Sequence, residues 1–593
     1  MTLSELKMAV EAWLSSDPDG GTRLELEELL RRNDTAELEE RFRGPLGFGT
    51  AGLRAPMGAG PARMNCAVVR TATLGLARWL IRSVPESRTR GVVVARDGRH
   101  RSFEFASETV GVLAAAGIPA WVFPAVAPTP LAAYAVTALG AAAGVVVTAS
   151  HNPKEYNGYK VYGPDGAQVI PPDDTAIAAE MAKVGPANQV PFLDQDEATS
   201  RGLLREVGAD VAARYLQAIL VERRHPGLGL DLAIAYTAMH GVGGGLAVEA
   251  LKKAGFHHVH WVADQQLPDA DFPTVAFPNP EEPGALQEVQ RLAETVGADL
   301  VLANDPDADR LAVMVRDAAG GYRQLSGNEV GVLLGHYLLT HGPRPARPLV
   351  LATVVSSLQL GHIAARLGVE YEETLTGFKW IAHAALRRAE AGAHFVFGYE
   401  EALGYAVSAA VRDKDGIGAA VVMADMAGWA RSLGRTVLDL LDELAREYGV
   451  YASLQRSVVL PGSSGAAVMA RVMAGLREAP PPAIAGRPVI AVSDYAEGIR
   501  TAGGKRTPLG LPRTNLLAFE LLEGARVLLR PSGTEPKLKL YVEAVERVGD
   551  ADTLTDVRAC ASATAATLLH GTLELASAHG LEPGARSPPT QQA

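Results

Sequence analysis

The chain has 593 residues, 48% of them hydrophobic and 21% charged, enough for several buried cores with an active site between them. A net charge of −11 and an isoelectric point near 5.8 argue against a surface built for non-specific nucleic-acid binding, although a local cluster of Arg and Lys can still hold an anionic substrate. Two cysteines, Cys66 and Cys560, cannot staple so long a chain and fit a reducing, cytoplasmic setting.

In chain order, the first forty or so residues (LSELKMAVEAWL, RLELEELLRRNDTAELEERF) alternate apolar and charged positions at helical spacing and read as amphipathic helices capping the body. They carry acidic residues early and show no signal-peptide core. From Gly91, strand and helix alternate: GVVVARD, then SFEFASETVGVLAAAG, then PAWVFP. Residues 131–149 run 19 positions without a charge, long enough to cross a bilayer. About half of them are Ala or Gly, so they read instead as a helix, a turn near Gly140 to Gly144 and a strand at 145–149, with no membrane span expected.

Further strands are expected at 232–237, 299–304, 348–354 and 394–398, which argues for α/β layers with parallel or mixed sheets. ARVLLR and KLKLYVEAV, with a helix around 551–570, suggest a smaller α+β unit, and the Pro-rich tail after Gly580 reads as disordered. Four domains are expected, at 1–205, 206–320, 321–457 and 458–593.

Four motif-like loops each follow an apolar strand: TASHNP, NDPDADR, GYEEALGY and RPSGTEPK. In α/β sheets ligands gather beyond the carboxyl ends of strands, so four such loops suit one shared cleft. Asp305, Asp307 and Asp309 place three carboxylates on one side of an extended loop, where they repel unless a cation sits among them. Oxygen ligands with open positions favour Mg²⁺, the bland alternative being a solvated acidic turn. An EF-hand is excluded, because its Gly and Glu positions hold Arg310 and Arg316.

Ser150, at a strand end, could carry a phosphoryl group beside that metal, or simply serve its own turn. No G-x-S-x-G elbow surrounds it. Arg530, Ser532, Gly533, Thr534 and Lys537 suit a phosphate cradle, or an ordinary polar turn. Glu400 and Glu401 offer paired acceptors for vicinal hydroxyls, or only surface charge.

Together and in this order the loops resemble the α-D-phosphohexomutase superfamily, the phosphoglucomutases, phosphomannomutases and their relatives, from about Gly47 to Glu543. The stretch TASHNPKEYNGYKVYGPDGAQ is similar to the branch of bacterial phosphoglucomutases and vertebrate phosphopentomutases. The resemblance implies a four-domain, heart-shaped α/β fold, with three similar α/β/α domains and a smaller α+β domain. It implies that Ser150 is phosphorylated and that Asp305, Asp307 and Asp309, with a phosphoserine oxygen of Ser150, bind one Mg²⁺ per chain. Arg54 and Lys160 match basic positions near the transferred phosphate, Lys160 as candidate general acid or base with His151 in support. Thr376, Gly377, Lys379, Lys414 and Arg310 match substrate-contacting positions, Glu400 and Glu401 sugar-binding ones. Arg530, Ser532, Gly533, Thr534 and Lys537 would hold the non-reacting phosphate.

The implied activity is interconversion of glucose 1-phosphate and glucose 6-phosphate through a sugar bisphosphate, which also serves as activator. Mannose or pentose phosphates are the alternatives, a bisphosphate synthase or phosphatase more distant ones. The expected partner is a phosphosugar, with no nucleic acid or membrane, and the oligomeric state stays open with a slight lean to monomer. One departure concerns the sugar loop: where many hexomutases read G-E-x-S-G-H, here Tyr399 separates Gly398 from Glu400, Ala402 takes the serine place and Tyr405 the histidine place.

Overall fold

The computed structural model describes residues 2–49, 52–460, 462–532, 537–581 and 590–592, with 462–464 and 590–592 described by backbone alone. They form four sheets in sequence order along the chain. The first orders its strands Leu53–Pro56, Tyr156–Tyr162, Ala143–Val147, Val92–Arg96, Ala120–Val122 and Leu204–Glu206, the first two joints antiparallel and the other three parallel. Its central strands are unbroken apolar runs because helices cover both faces. Val92, Val94, Val145 and Val147 pack toward Leu76, Leu80 and Phe105, whereas Val93 and Val146 pack toward Leu131 and Val136.

The second sheet joins Tyr322–Gln324, Ala312–Arg316, Leu300–Ala303, Ile234–Thr237 and Val259–Trp261; the third joins Glu370–Thr374, Pro348–Thr353, His394–Glu400 and Gly404–Ala406. Both are mixed. The fourth is antiparallel and is built from residues 450–459 and 483–546, with the helix Leu554–Ala578 against it.

On this pairing we draw two unit borders differently from the sequence expectation. Tyr322–Gln324 completes the second sheet, so that unit runs past 320. Val450–Val459 pairs along its whole length with Lys537–Glu546, so the fourth unit starts near 450 rather than 458. Nor does the expected disorder of the tail extend to Thr590–Gln592, whose backbone pairs with Ser453–Gln455 at the open sheet edge. Residues 131–149 resolve into the helix Thr129–Ala138, a turn with Gly140 at φ 63 and the strand Ala143–Val147. No helix among the described residues is long and apolar enough to cross a membrane.

The N-terminal helices Leu3–Ser16, Gly20–Arg32 and Thr35–Arg41 share a small core of Leu6, Val10, Leu26, Leu38 and Phe42 with Ala59. Glu25 accepts from the Ala59 N–H at 2.9 Å, and Arg41 donates to the Ala59 carbonyl at 3.3 Å. The cap thereby grips the segment that follows the strand of Arg54.

The helix Gly416–Ser432 is buried nearly all round and packs on helices Ala209–Leu220, Gly244–Lys253 and Gly327–Thr340. Its N-cap, Asp415, takes three donors on one oxygen: Tyr215 Oη at 2.7 Å, Ile417 N at 3.1 Å and Gly418 N at 2.8 Å. Its other oxygen is buried without a partner among the described residues. Burial pushes the Asp415 carboxyl up to about 6. The folded chain therefore keeps a proton there that the unfolded chain releases near pH 4, and stability from this group is lost as pH rises from about 4 to 6, by at most about 3 kcal/mol. Asp415→Asn should gain melting temperature relative to wild type across that window, with the gap constant above it. A gap that does not change with pH would exclude this origin.

Candidate active site

Two strand ends supply the centre of the site. Ala143–Val147 leads to Ser150, and Leu300–Ala303 leads to the acidic loop. Both loops turn through left-handed residues, Ser150 at φ 52 and Ala308 at φ 57. Asn304 closes the acidic loop, donating to the Arg310 carbonyl at 2.7 Å while accepting from Tyr236 Oη at 2.8 Å.

Ser150 and Asp305, 155 residues apart in sequence, meet at 2.7 Å, the hydroxyl donating to Oδ2. Since that bond uses the only hydroxyl proton, the 3.1 Å contact between Ser150 Oγ and His151 Nδ1 needs the tautomer with its proton on Nδ1. Asp305 Oδ1 accepts from the Arg310 N–H at 3.0 Å. Asp307 Oδ2 accepts from Lys160 Nζ and Thr129 Oγ1, each at 2.7 Å. Asp309 Oδ2 takes Lys160 Nζ at 3.0 Å and Lys414 Nζ at 3.2 Å.

All three carboxylates are buried, with ligand oxygens within 4.8 Å of one another. Asp307 Oδ1 and Asp309 Oδ1 are buried without a hydrogen-bond partner among the described residues. Two orphaned anionic oxygens beside a third carboxylate fit a hard divalent cation. The same crowding acts on the carboxyls: burial, then Asp307 and Asp309, raise Asp305 well above the carboxylate range. For Asp307 and Asp309 burial acts the same way but the lysines outweigh it, so both lie below that range. Burial works against the Lys160 ammonium, but Asp307 and Asp309 raise it above the ordinary lysine value.

Positive charge flanks the serine. Arg54 donates to Asn152 Oδ1 at 3.0 Å and Arg310 to Glu281 Oε2 at 3.1 Å. The Nε atoms of both arginines are buried without a partner among the described residues. Burial, then Arg310 and Arg54, hold His151 well below the usual histidine value, so its imidazole is neutral. Lys414 is presented by a latch between the first and third units: Asp413 accepts from Tyr162 Oη and Gln168 Nε2, each at 2.7 Å. Sequence reading had no signal for this latch, for Thr129 or for Glu281, because each acts across a long sequence separation.

The sugar-side expectations divide. Glu400 accepts from the Gly377 N–H at 3.0 Å, joining its loop to Thr376, whose buried hydroxyl has no partner among the described residues. Glu401 turns into the third unit instead, with Ser356 Oγ at 3.4 Å and Thr353 Oγ1 at 3.3 Å. Burial, with Glu400 beside it, pushes the Glu401 carboxyl up to about 7. The two substituted tyrosines point into the same core, Tyr399 toward Asn328 and Tyr405 toward the Gly327 carbonyl. Lys379 contacts the first unit, donating to the Gly49 carbonyl at 3.3 Å and lying 3.7 Å from Asp174. In the fourth unit Arg530 pairs across the sheet with Lys539, and the Ser532 N–H donates to the Lys537 carbonyl at 2.7 Å. Gly533 and Thr534 lie outside the described residues.

Four family profiles match the chain in order: phosphoglucomutase/phosphomannomutase alpha/beta/alpha domain I at residues 45–187, domain II at 213–320, domain III at 326–448 and the C-terminal domain at 491–559. The chain belongs to the phosphoglucomutase/phosphomannomutase family. It is a mutase of the α-D-phosphohexomutase superfamily, with the α/β four-domain architecture of that group. Curated mutases resemble it over nearly their whole length. A phosphoribomutase of Saccharomyces cerevisiae is 36% identical over 586 residues, covering 91% of this chain and 93% of that one. A phosphoglucomutase of Staphylococcus epidermidis is 35% identical over 517 residues, covering 86% and 93%. A phosphopentomutase of Mus musculus is 34% identical over 575 residues, covering 93% and 92%.

Proposed function

We propose that this mutase interconverts glucose 1-phosphate and glucose 6-phosphate, with Ser150 as the phosphoryl carrier. The observation that carries the reading is the 2.7 Å contact between the Ser150 hydroxyl and Asp305 inside the three-carboxylate cluster. In the resting enzyme Ser150 is a phosphoserine. A free sugar hydroxyl attacks its phosphorus, the P–Oγ bond breaks, and a sugar bisphosphate forms with a bare serine. The bisphosphate reorients and presents its other phosphate, which Ser150 Oγ attacks in turn; the second isomer leaves and the phosphoserine is restored.

Asp305, Asp307 and Asp309, with a phosphoserine oxygen, would hold Mg²⁺, which when bound would offset negative charge on the phosphoryl group. Arg54 and Arg310, whose buried Nε–H groups have no partner among the described residues, are the candidates to bind its oxygens. Lys160 adds positive charge beside Asp307 and Asp309 and, as an ammonium, is the candidate to give a proton to the departing Ser150 Oγ and to be reprotonated by the one the sugar hydroxyl loses, with His151 in support. Glu400 and Thr376 take sugar hydroxyls, with Gly377 holding Glu400 in place. Lys414 and Lys379 bring charge from the third unit. Arg530, Ser532, Gly533, Thr534 and Lys537 form the grip on the phosphate that is not reacting. The reaction asks that grip to accept either end of the bisphosphate, which a glycine-containing, backbone-rich loop suits. Sparse cysteines support a reducing, cytoplasmic setting.

Glucose is preferred on the likeness of residues 148–168 to bacterial phosphoglucomutases. A pentose phosphate is the second reading, favoured by the near full-length likeness to a phosphoribomutase and a phosphopentomutase. Coupled assays with glucose, mannose and ribose 1-phosphates, each primed with its bisphosphate, should give the highest kcat/KM for glucose. A ribose value ten-fold higher would transfer the assignment to the pentose, and release of inorganic phosphate without isomer would replace the mutase reading by a phosphatase.

A further inference from the structure

Arg99 lies outside every role given above, and its side chain is only 1% exposed. Its guanidinium is spread over the loop that carries the serine. Nη2 donates to the Ser150 carbonyl at 2.6 Å and the Asn152 carbonyl at 2.5 Å, and Nη1 to the Pro153 carbonyl at 2.8 Å and the Tyr156 carbonyl at 3.3 Å. The arginine is anchored from behind. Asp97 follows the strand Val92–Arg96, accepts from the Arg99 N–H at 3.0 Å and lies 3.3 Å from its Nε. Asp97 is itself fixed by Ser102 Oγ at 2.6 Å. The ring of Phe272, from the second unit, covers the guanidinium at 5.1 Å.

Four carbonyl oxygens converging on one point repel one another unless a donor sits among them. Only arginine offers a planar fork of N–H groups with a charge that persists when buried. The conformation being held is one that serine does not choose: φ 52 lies in the left-handed region, which is strained for a residue with a side chain. Thr148 Oγ1 accepts from the Ser150 N–H at 2.8 Å while Arg99 takes the Ser150 carbonyl. With both ends of the residue fixed, only the side-chain rotation remains, and Asp305 and His151 set that.

We propose that Arg99 is a positioning residue for phosphoryl transfer, holding the Ser150 loop so that Oγ stays in register with the carboxylate cluster whether it is free or esterified. The inference rests on the reading of Ser150 as the phosphoryl carrier. Both Nη atoms of Arg99 are spent on backbone carbonyls, so its loss should act on kcat and not on KM. A displacement of about 1 Å at a reacting atom costs on the order of 100-fold in rate.

The test uses full-length wild type, Arg99→Lys and Arg99→Gln. Lysine keeps a charge that cannot span four carbonyls, and glutamine keeps two donors without charge. Three quantities are measured: the melting temperature, the fraction of Ser150 phosphorylated after incubation with glucose 1,6-bisphosphate (by intact mass and peptide mapping), and kcat with KM. Both variants should melt cooperatively, show kcat lowered about 100-fold with KM within about three-fold of wild type, and take up phosphate on Ser150 more slowly. Either variant with kcat within three-fold of wild type would overturn the inference. So would a rise in KM at unchanged kcat, or the loss of any melting transition in both, which would make Arg99 an element of the fold alone. If wild type takes up no phosphate on Ser150, the carrier reading itself has failed, which is distinct from a phosphorylated wild type whose Arg99 variants are fully active.

Discussion

Ser150→Ala should lower interconversion of the sugar phosphates by about 10⁴-fold or more, the scale on which enzymes lose rate when a covalent nucleophile is removed. Arg54, Arg310, Lys160 and the carboxylates would still bind substrate, but no atom would remain to receive the phosphoryl group. The fold should survive. The hydroxyl makes two bonds, to Asp305 and His151, and losing them costs at most a few kcal/mol in a chain whose largest core runs through three of its units. Asp305 keeps the Arg310 N–H, and Thr148 still accepts from the residue 150 N–H. The measurement pairs a coupled isomerisation assay with uptake of labelled phosphate from glucose 1,6-bisphosphate. Residual turnover above about 1% of wild type, or label retained at an undiminished level, would move the carrier role to another residue.

What the sequence disclosed follows from the range over which each feature acts. Asp305, Asp307 and Asp309 are legible because i, i+2, i+4 spacing is local and their mutual repulsion demands a partner. The same holds for the valine runs at 92–94 and 145–147, whose lack of alternation already says that both faces are covered. In the sugar loop the two adjacent acids take different surroundings. Glu400 ends the strand His394–Glu400, and successive side chains along extended backbone point to opposite faces. Glu400 therefore reaches Gly377 while Glu401 turns inward to Ser356 and Thr353, a divergence that adjacency in sequence does not reveal. Tyr399 and Tyr405, which read as replacements in the sugar site, are core residues of the third unit. The partners that shape the centre were not legible in one sequence: Thr129 meets Asp307 from 178 positions away, and Tyr162 meets Asp413 from 251. Arg99 stands in RDGR just after a strand, with nothing local to mark it. Only the converging carbonyls of another loop reveal its task.

Asp307→Asn should lower activity about 10³-fold and remove the response of the protein to Mg²⁺, and its effect on the metal-free fold gives the sharper test. The side chain accepts from Lys160 and Thr129 on one oxygen and leaves the other buried and unpaired. Asparagine in the same rotamer can still accept through Oδ1, so the hydrogen bonds to Lys160 and Thr129 need not be lost. Removing one negative charge also relieves the repulsion that drives Asp305 upward, while Lys160 keeps Asp309. These changes oppose one another, so the melting temperature without metal should move by only a few degrees. With metal the two proteins should part. A cation that binds the folded state alone stabilises it by about 2.7 kcal/mol at a hundred-fold excess over its Kd, so wild type should melt higher in Mg²⁺ and fall back on adding a chelator. The variant, with one carboxylate fewer and an amide N–H₂ facing the cation, should bind at least about 100-fold more weakly and show no shift at the same concentration. If Asp307→Asn retains both the Mg²⁺ shift and the rate, the orphaned oxygens are not metal ligands and the charge at the reacting phosphoryl group is balanced by Arg54, Arg310 and Lys160 alone.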